Sequence, residues 1–254
     1  MSQFDAQAYY TQHYSSAVTA DWEGMYERGE WPSAIYRLPA EKTPREHGHG
    51  VVYHLLHECA PFRRTLDVGC GSGDFILPIR GMAQESYGVD IAAFPAAWQV
   101  LERRHGIYCQ VHDLDKGDLP FPDGHFSALT MIMVLEHVFD VEHAVREIAR
   151  VLEPGAVAVV QVPNLAYLKR RIDLLLGRLP VTADTSDPGF IHAWDGQHLH
   201  HFTLDALRMV MSRHGLTVEK CHCFGRLAKW RSLWTPLLGA DLTVLARKAA
   251  TAAG

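Results

Sequence analysis

The apolar positions of this chain gather into short continuous runs separated by stretches of helical period. Arg64 to Val68, Ser86 to Asp90, Ile107 to Val111, Ser127 to Val134 and Ala156 to Val162 are each brief, apolar or β-branched, and flanked by Gly, Pro or Asp. They predict five strands. Asp74 to Met82, Ala96 to Arg104 and Val141 to Leu152 predict the helices between them. The first of these carries Pro78, which should kink or shorten it. The last puts Val141, Ala144, Val145, Ile148, Val151 and Leu152 on one face. Strands alternating with helices imply right-handed crossovers and a mostly parallel sheet covered on both faces.

Beyond Val162 the alternation breaks. Asn164 to Asp187 carries a basic helix, Tyr167-Leu168-Lys169-Arg170-Arg171, whose charges read mostly as a solvated face. Thr203 is a suitable N-cap for a helix reaching His214. Leu216 to Phe224 and Ala240 to Arg247 predict two last strands, joined by a long connection holding Trp230 and Trp234. Ahead of the first strand, a short helix from Val51 to Cys59 follows an aromatic and polar stretch. Residues 1–60 are therefore expected to form a helical lid, or else an amphipathic helix packed on the sheet.

Composition narrows the possibilities. With 254 residues and 48% hydrophobic content, one large domain with a sizeable core is expected. The net charge of −5 gives no footprint for a phosphate backbone, so nucleic acid is not an expected partner. No apolar run approaches the roughly 18–20 residues that span a bilayer, and Met1 to Tyr14 lacks the basic and apolar regions of a secretory signal. Cys59, Cys70, Cys109, Cys221 and Cys223 are odd in number and scattered, which points to a reducing cytoplasm.

The strongest chemical signal is Thr65-Leu66-Asp67-Val68-Gly69-Cys70-Gly71-Ser72-Gly73. Glycines between a strand and a helix let a ligand approach the backbone closely. Asp90, ending the second strand, is placed to accept hydrogen bonds from a ribose diol. Asp113 ends the third. A nicotinamide dehydrogenase also uses a glycine turn and an acidic ribose ligand, but with G-x-G-x-x-G spacing, whereas here the glycines fall at 69, 71 and 73.

These residues make the chain similar to class I S-adenosylmethionine-dependent methyltransferases. The likeness extends through Gly88-Val89-Asp90, Asp113-Leu114, Leu119 to Phe126, Val134-Leu135-Glu136-His137-Val138 and Glu147 to Gly155. The resemblance implies a Rossmann-like α/β fold of seven strands with strand seven antiparallel, spanning residues 61–254, with a cap inserted at about 164–202. It implies S-adenosyl-L-methionine as cofactor. Asp67 would order the glycine turn and approach the methionyl part, and Gly69, Gly71 and Gly73 would give backbone access. Asp90 would bind the ribose, with Ile91 against the adenine. Asp113 would meet the adenine amino group, helped by the Leu114 backbone amide in holding the base, and Ile132 would line the sulfonium end.

The acceptor is expected to be a small molecule, with oxygen favoured over nitrogen. Histidine is the natural base near neutral pH. His137, His192 and His200 are the catalytic candidates, with His198 and His201 beside them in a cluster of four histidines within ten residues. Each is open to a structural role. In the related ubiquinone-pathway O-methyltransferases, acidic residues and the histidine of the block at 134–138 are linked to a divalent metal. Met133 stands here where those enzymes carry a further glutamate, so no metal is expected. The stretch from Val162 through Thr182 also resembles methionine-biosynthesis accessory proteins of the same fold, which gives a non-catalytic, partner-dependent alternative.

Overall fold

The computed structural model describes residues 6–15, 48–182, 198–225 and 227–250. Seven strands form one sheet: β1 (Phe62–Val68), β2 (Ala83–Asp90), β3 (Ile107–Val111), β4 (Phe126–Ile132), β5 (Leu152–Pro163), β6 (Leu216–His222) and β7 (Asp241–Lys248). Their order is β3-β2-β1-β4-β5-β7-β6. The first five are parallel, and β7 runs antiparallel between β5 and β6. The expected class I methyltransferase sheet is therefore present.

Helices cover both faces. On one, α5 (Val141–Val151) and α7 (Leu204–Arg213) bury Val145, Ile148, Leu207 and Met211 against Leu129, Met131, Val160 and Val244. On the other, α2 (Gly48–His57) sets Val52, Leu55 and Leu56 against Ala128, Val157, Val159 and Leu245. A third cluster joins α4 (Pro95–His105), through Ala97, Val100 and Leu101, to Ile76 and Ile107. Pro95 starts α4 and Gly106, left-handed at φ 64°, ends it. Two further pieces bear on the site: α1 (Ala6–Ser15) and α6 (Leu168–Leu175).

The structure corrects several boundaries. Asp74 to Met82 yields only one α-turn, α3 (Ile76–Ile79), and a 3₁₀ turn at Arg80–Met82. Pro78 lacks the N–H that a longer helix would use. Strand β5 starts at Leu152 rather than Ala156. Leu152 pairs with Phe126, and the register shifts before Val157 meets Ala128. Gly155, at φ 81°, absorbs the extra residues as a bulge. Strand β4 ends at Ile132, two residues early, because Met133 adopts φ 53°. Arg170 is not solvated: its guanidinium donates to the carbonyls of Asn164, Val181 and Ala240.

Candidate functional site

Strand β1 buries Thr65, Leu66, Asp67 and Val68, then releases the chain into the glycine turn at its carboxyl end. The amides of Gly69 and Cys70 donate to the Val89 carbonyl at 2.8 and 3.1 Å, holding the turn against β2. The three glycines all have positive φ, but their surroundings differ. A Cβ on Gly69 would lie 2.1 Å from a Val134 methyl, and one on Gly73 would lie 2.4 Å from a Leu101 methyl. A Cβ on Gly71 would meet nothing within 4 Å. Two of the glycines allow close packing, and the third faces open space.

Asp90 clamps that third glycine. Its Oδ2 accepts the Gly71 N–H and its Oδ1 accepts the Ala92 N–H, both at 2.8 Å. Trp98, on α4, donates its indole N–H to the Gly71 carbonyl at 2.8 Å. Each carboxylate oxygen of Asp90 keeps a lone pair for a further donor. Burial raises its pKa, and the two backbone amides oppose the rise.

Asp67 behaves differently from expectation. Its partner is Thr130 on β4, whose hydroxyl donates at 2.6 Å, and the bond that orders the turn comes from Asp90 instead. Burial pushes the Asp67 carboxyl up to about 7, against the Thr130 hydrogen bond and with Asp90 adding to the rise.

Asp113 closes the next wall. Its Oδ1 accepts the Asp115 N–H and its Oδ2 lies 3.1 Å from the Lys116 ammonium, while Leu114 is buried beside it. Asp115 then reaches across the strand ends to accept the amides of Phe139 and Asp140. Ile91 and Ile132 are half-buried at the ends of β2 and β4.

Past Met133 the chain turns, with the His137 N–H donating to the Val134 carbonyl at 2.9 Å. The Glu136 carbonyl accepts the amides of Leu199 and His200, docking the end of the insertion here. The rings of His137 and His198 lie 4.9 Å apart, and His198 Nδ1 is 2.6 Å from the Thr182 hydroxyl. The Glu136 side chain is 1% exposed, and its carboxyl has no hydrogen-bond partner beyond its own residue. Burial pushes its carboxyl up to about 8, opposed by its own backbone N–H and reinforced by Asp241. From above, α1 sets Tyr10 against His137 at 6.4 Å and Thr11 against the Ala93 amide at 3.4 Å.

Asp67, Gly69, Gly71, Gly73, Asp90, Ile91, Asp113, Leu114, Ile132 and His137 thus sit together at the carboxyl ends of β1 to β4. His200 sits at the rim, donating from Nε2 to the Phe139 carbonyl at 3.1 Å. His192 lies outside the described residues. Sequence reasoning missed Trp98, Thr130 and Thr182. Trp98, a few residues beyond the second strand, was the most findable of them. The pairing of His198 with His137 had no local signal.

A model of the methyltransferase domain matches residues 27–220. The chain belongs to that family. This methyltransferase-family chain is 34% identical, over 122 residues, to a probable S-adenosylmethionine-dependent methyltransferase of Mycolicibacterium smegmatis, covering 46% of the chain and 44% of the relative. It is 36% identical, over 107 residues, to a 2-phytyl-1,4-naphtoquinone methyltransferase of Trichormus variabilis, covering 39% and 46%. In both cases the match spans less than half of the relative's own length. Its fold also resembles the Burkholderia thailandensis 1,6-didemethyltoxoflavin-N1-methyltransferase, solved with 1,6-didemethyltoxoflavin and S-adenosylhomocysteine bound. The TM-score is 0.54 at 17% identity, over 98% of this chain and 93% of that one.

Proposed function

We propose that this methyltransferase-family protein transfers a methyl group from S-adenosylmethionine to a small-molecule acceptor. The observation that carries the reading is the Asp90 clamp: a half-buried carboxylate with lone pairs to spare, beside a glycine that faces open space. That arrangement suits a ribose diol on the carboxylate and a close backbone approach at Gly71. When bound, the cofactor supplies a methyl carbon already activated by the sulfonium charge. The protein's own task is alignment and exclusion of water.

Within this reading Asp67 faces the methionyl end, Ile91, Asp113 and Leu114 hold the adenine, and Ile132 lines the path to the sulfonium. His137, at the end of β4, is the base for an acceptor hydroxyl, with His192 and His200 as alternatives from the insertion. Residues 1–60 act as the lid, supported by the contacts of α1 with His137 and Ala93. The insertion at 164–202 forms the acceptor cap, supported by its docking on Glu136. Among the described residues no helix is long and apolar enough to cross a membrane. The five free thiols suit a cytoplasmic setting.

Calorimetry with S-adenosylhomocysteine tests the proposal. The wild-type protein should bind it, and Asp90→Ala should bind it about 10- to 150-fold more weakly, from the loss of roughly 1.5–3 kcal/mol of charge-assisted hydrogen bonding. A folded wild-type sample that binds neither cofactor nor product would overturn the enzyme reading. An Asp90→Ala variant of undiminished affinity would overturn the ribose assignment.

A further inference from the structure

Two thiols meet beside the glycine turn. Gly88, on β2, pairs with Asp67 of β1 on one side and with Cys109 of β3 on the other. A Cβ on Gly88 would lie 2.7 Å from the Cys70 sulfur and 3.0 Å from the Cys109 sulfur. A glycine within a strand often marks a close approach of this kind. The two thiols also share a hydrogen bond. We propose that Cys70 and Cys109 form an oxidation site, at which hydrogen peroxide joins them as a disulfide that loosens S-adenosylmethionine at the turn. Formation of the bond is independent of the methyl-transfer reading; its effect on the cofactor rests on that reading.

The two cysteines are suited to different steps. Cys109 is half-buried on β3, the outermost strand at its end of the sheet, so it meets the oxidant first. Cys70 is 4% exposed. Its hydrogen bond to Cys109 raises its pKa, burial adds to the rise, and the charges of Asp67 and Asp90 reinforce it. A thiol held protonated in this way is a poor target for peroxide by itself. Contact with Cys109 makes its own step intramolecular, which offsets the low thiolate content.

The chemistry balances in two steps. Peroxide transfers a hydroxyl to the Cys109 sulfur, giving a sulfenic acid and one water. The Cys70 sulfur then attacks the Cys109 sulfur, the sulfur–sulfur bond forms, and the displaced hydroxyl leaves with the Cys70 proton as a second water. The two thiols lose two electrons and the peroxide gains them. A thiol reductant reverses the change by exchange.

The consequence follows from where Cys70 sits. A disulfide needs its sulfurs at roughly 2.05 Å, closer than any hydrogen-bonded thiol pair. Cys70 lies between Gly69 and Gly71, with its N–H on the Val89 carbonyl at 3.1 Å and its carbonyl accepting the Gly73 N–H at 2.9 Å. Its neighbour Gly71 is held by Asp90 and by the Trp98 indole. Drawing Cys70 toward β3 therefore moves the clamp and the open glycine together. A misplacement on the order of 1 Å is enough to spoil a cradle built for close approach.

The test treats the full chain, free of cofactor, with excess hydrogen peroxide, then blocks remaining thiols and maps the peptides by mass spectrometry. The peptides holding Cys70 and Cys109 should appear joined and lighter by two hydrogens, and dithiothreitol should part them. By calorimetry the oxidised protein should bind S-adenosylhomocysteine at least about tenfold more weakly than the reduced protein, with recovery on reduction. Cys109→Ser should bind like the reduced wild type and lose nothing on oxidation; should it misfold, Cys109→Ala takes its place. Cys70 and Cys109 still unjoined after oxidation, a joined pair with full affinity, or a loss in oxidised Cys109→Ser equal to that of the wild type would overturn the proposal. A joined pair in a protein whose reduced form binds no S-adenosylhomocysteine would uphold the oxidation site and sink the cofactor reading instead.

Discussion

Gly69 and Gly71 both hold left-handed backbone angles, yet a methyl group added to each would meet quite different surroundings. At Gly69 the methyl strikes Val134, so Gly69→Ala combines backbone strain with overpacking. A loss of about 2–4 kcal/mol is expected in urea unfolding. At Gly71 only the backbone term applies, so Gly71→Ala should lose about 1–2 kcal/mol of stability. Its larger effect should be on S-adenosylhomocysteine affinity, read by calorimetry, because its methyl projects into the open space. Equal stability losses for the two would contradict this division. Asp67 yields a pH prediction. Its carboxyl rises from 3.8 to about 7 on folding, so the folded state holds that proton more tightly than the unfolded state. The stabilisation this gives is complete below pH 3.8 and disappears as the pH climbs through 7. Asp67→Asn keeps an acceptor for Thr130 and removes the titration. The fall in melting temperature from pH 5 to pH 8 should therefore be smaller in the variant, and an identical fall would rule this group out as its source. The type and spacing of these residues were legible in the sequence. Their partners were not: nothing local to Asp67 announces Thr130, 63 positions away.

The elements are held in register by a few buried polar groups. Arg150 on α5 chelates Glu147 one turn earlier, and it also donates to the carbonyls of Leu119 and Phe121 and to Asp123. Glu147, 2% exposed, accepts the Leu119 amide as well. Two stretches that looked like separate family signatures, Leu119 to Phe126 and Glu147 to Gly155, are thus the two sides of one junction. Arg150→Ala strands a buried carboxylate and should cost about 3–5 kcal/mol. The double change Glu147→Gln with Arg150→Met should cost clearly less than the sum of the two single changes, measured by a double-mutant cycle in urea. Additive losses would show that the pair is not coupled. Periodicity sufficed for the amphipathic α5, and Pro78 foretold the shortened α3. It failed at the junctions. Strand β5 continues through Pro154-Gly155 because a bulge tolerates what a regular ladder rejects. Arg170 turns inward because the Ala240 carbonyl of the β6–β7 connection waits beside it, a contact with no trace in the local pattern.

Across the whole molecule, the parallel order places the ends of β1 to β4 along one rim, and α1 reaches over that rim. Ala93 follows β2 and His137 follows β4, so α1 bridges the two neighbours of the strand that carries the glycine turn. Tyr10→Ala should therefore speed the dissociation of S-adenosylhomocysteine several-fold in stopped-flow displacement while moving the melting temperature little. An unchanged rate with a large thermal loss would make α1 a packing element instead. The alternation of strands and helices was readable from hydrophobic pattern alone, and the family likeness supplied the order and the antiparallel β7. What the pattern cannot encode is how the insertion returns. Asn164 and Phe202 pair as an isolated bridge at its two ends, and Asn164, fully buried, ties that point to the carbonyls of Thr235, Pro236 and Gly239. The insertion leaves and re-enters the sheet at that pinch, which is fixed to the scaffold. A graft from another protein could be spliced in at those two positions with the sheet left intact, and new acceptor chemistry could evolve by exchanging what hangs beyond the knot rather than rebuilding the platform below it.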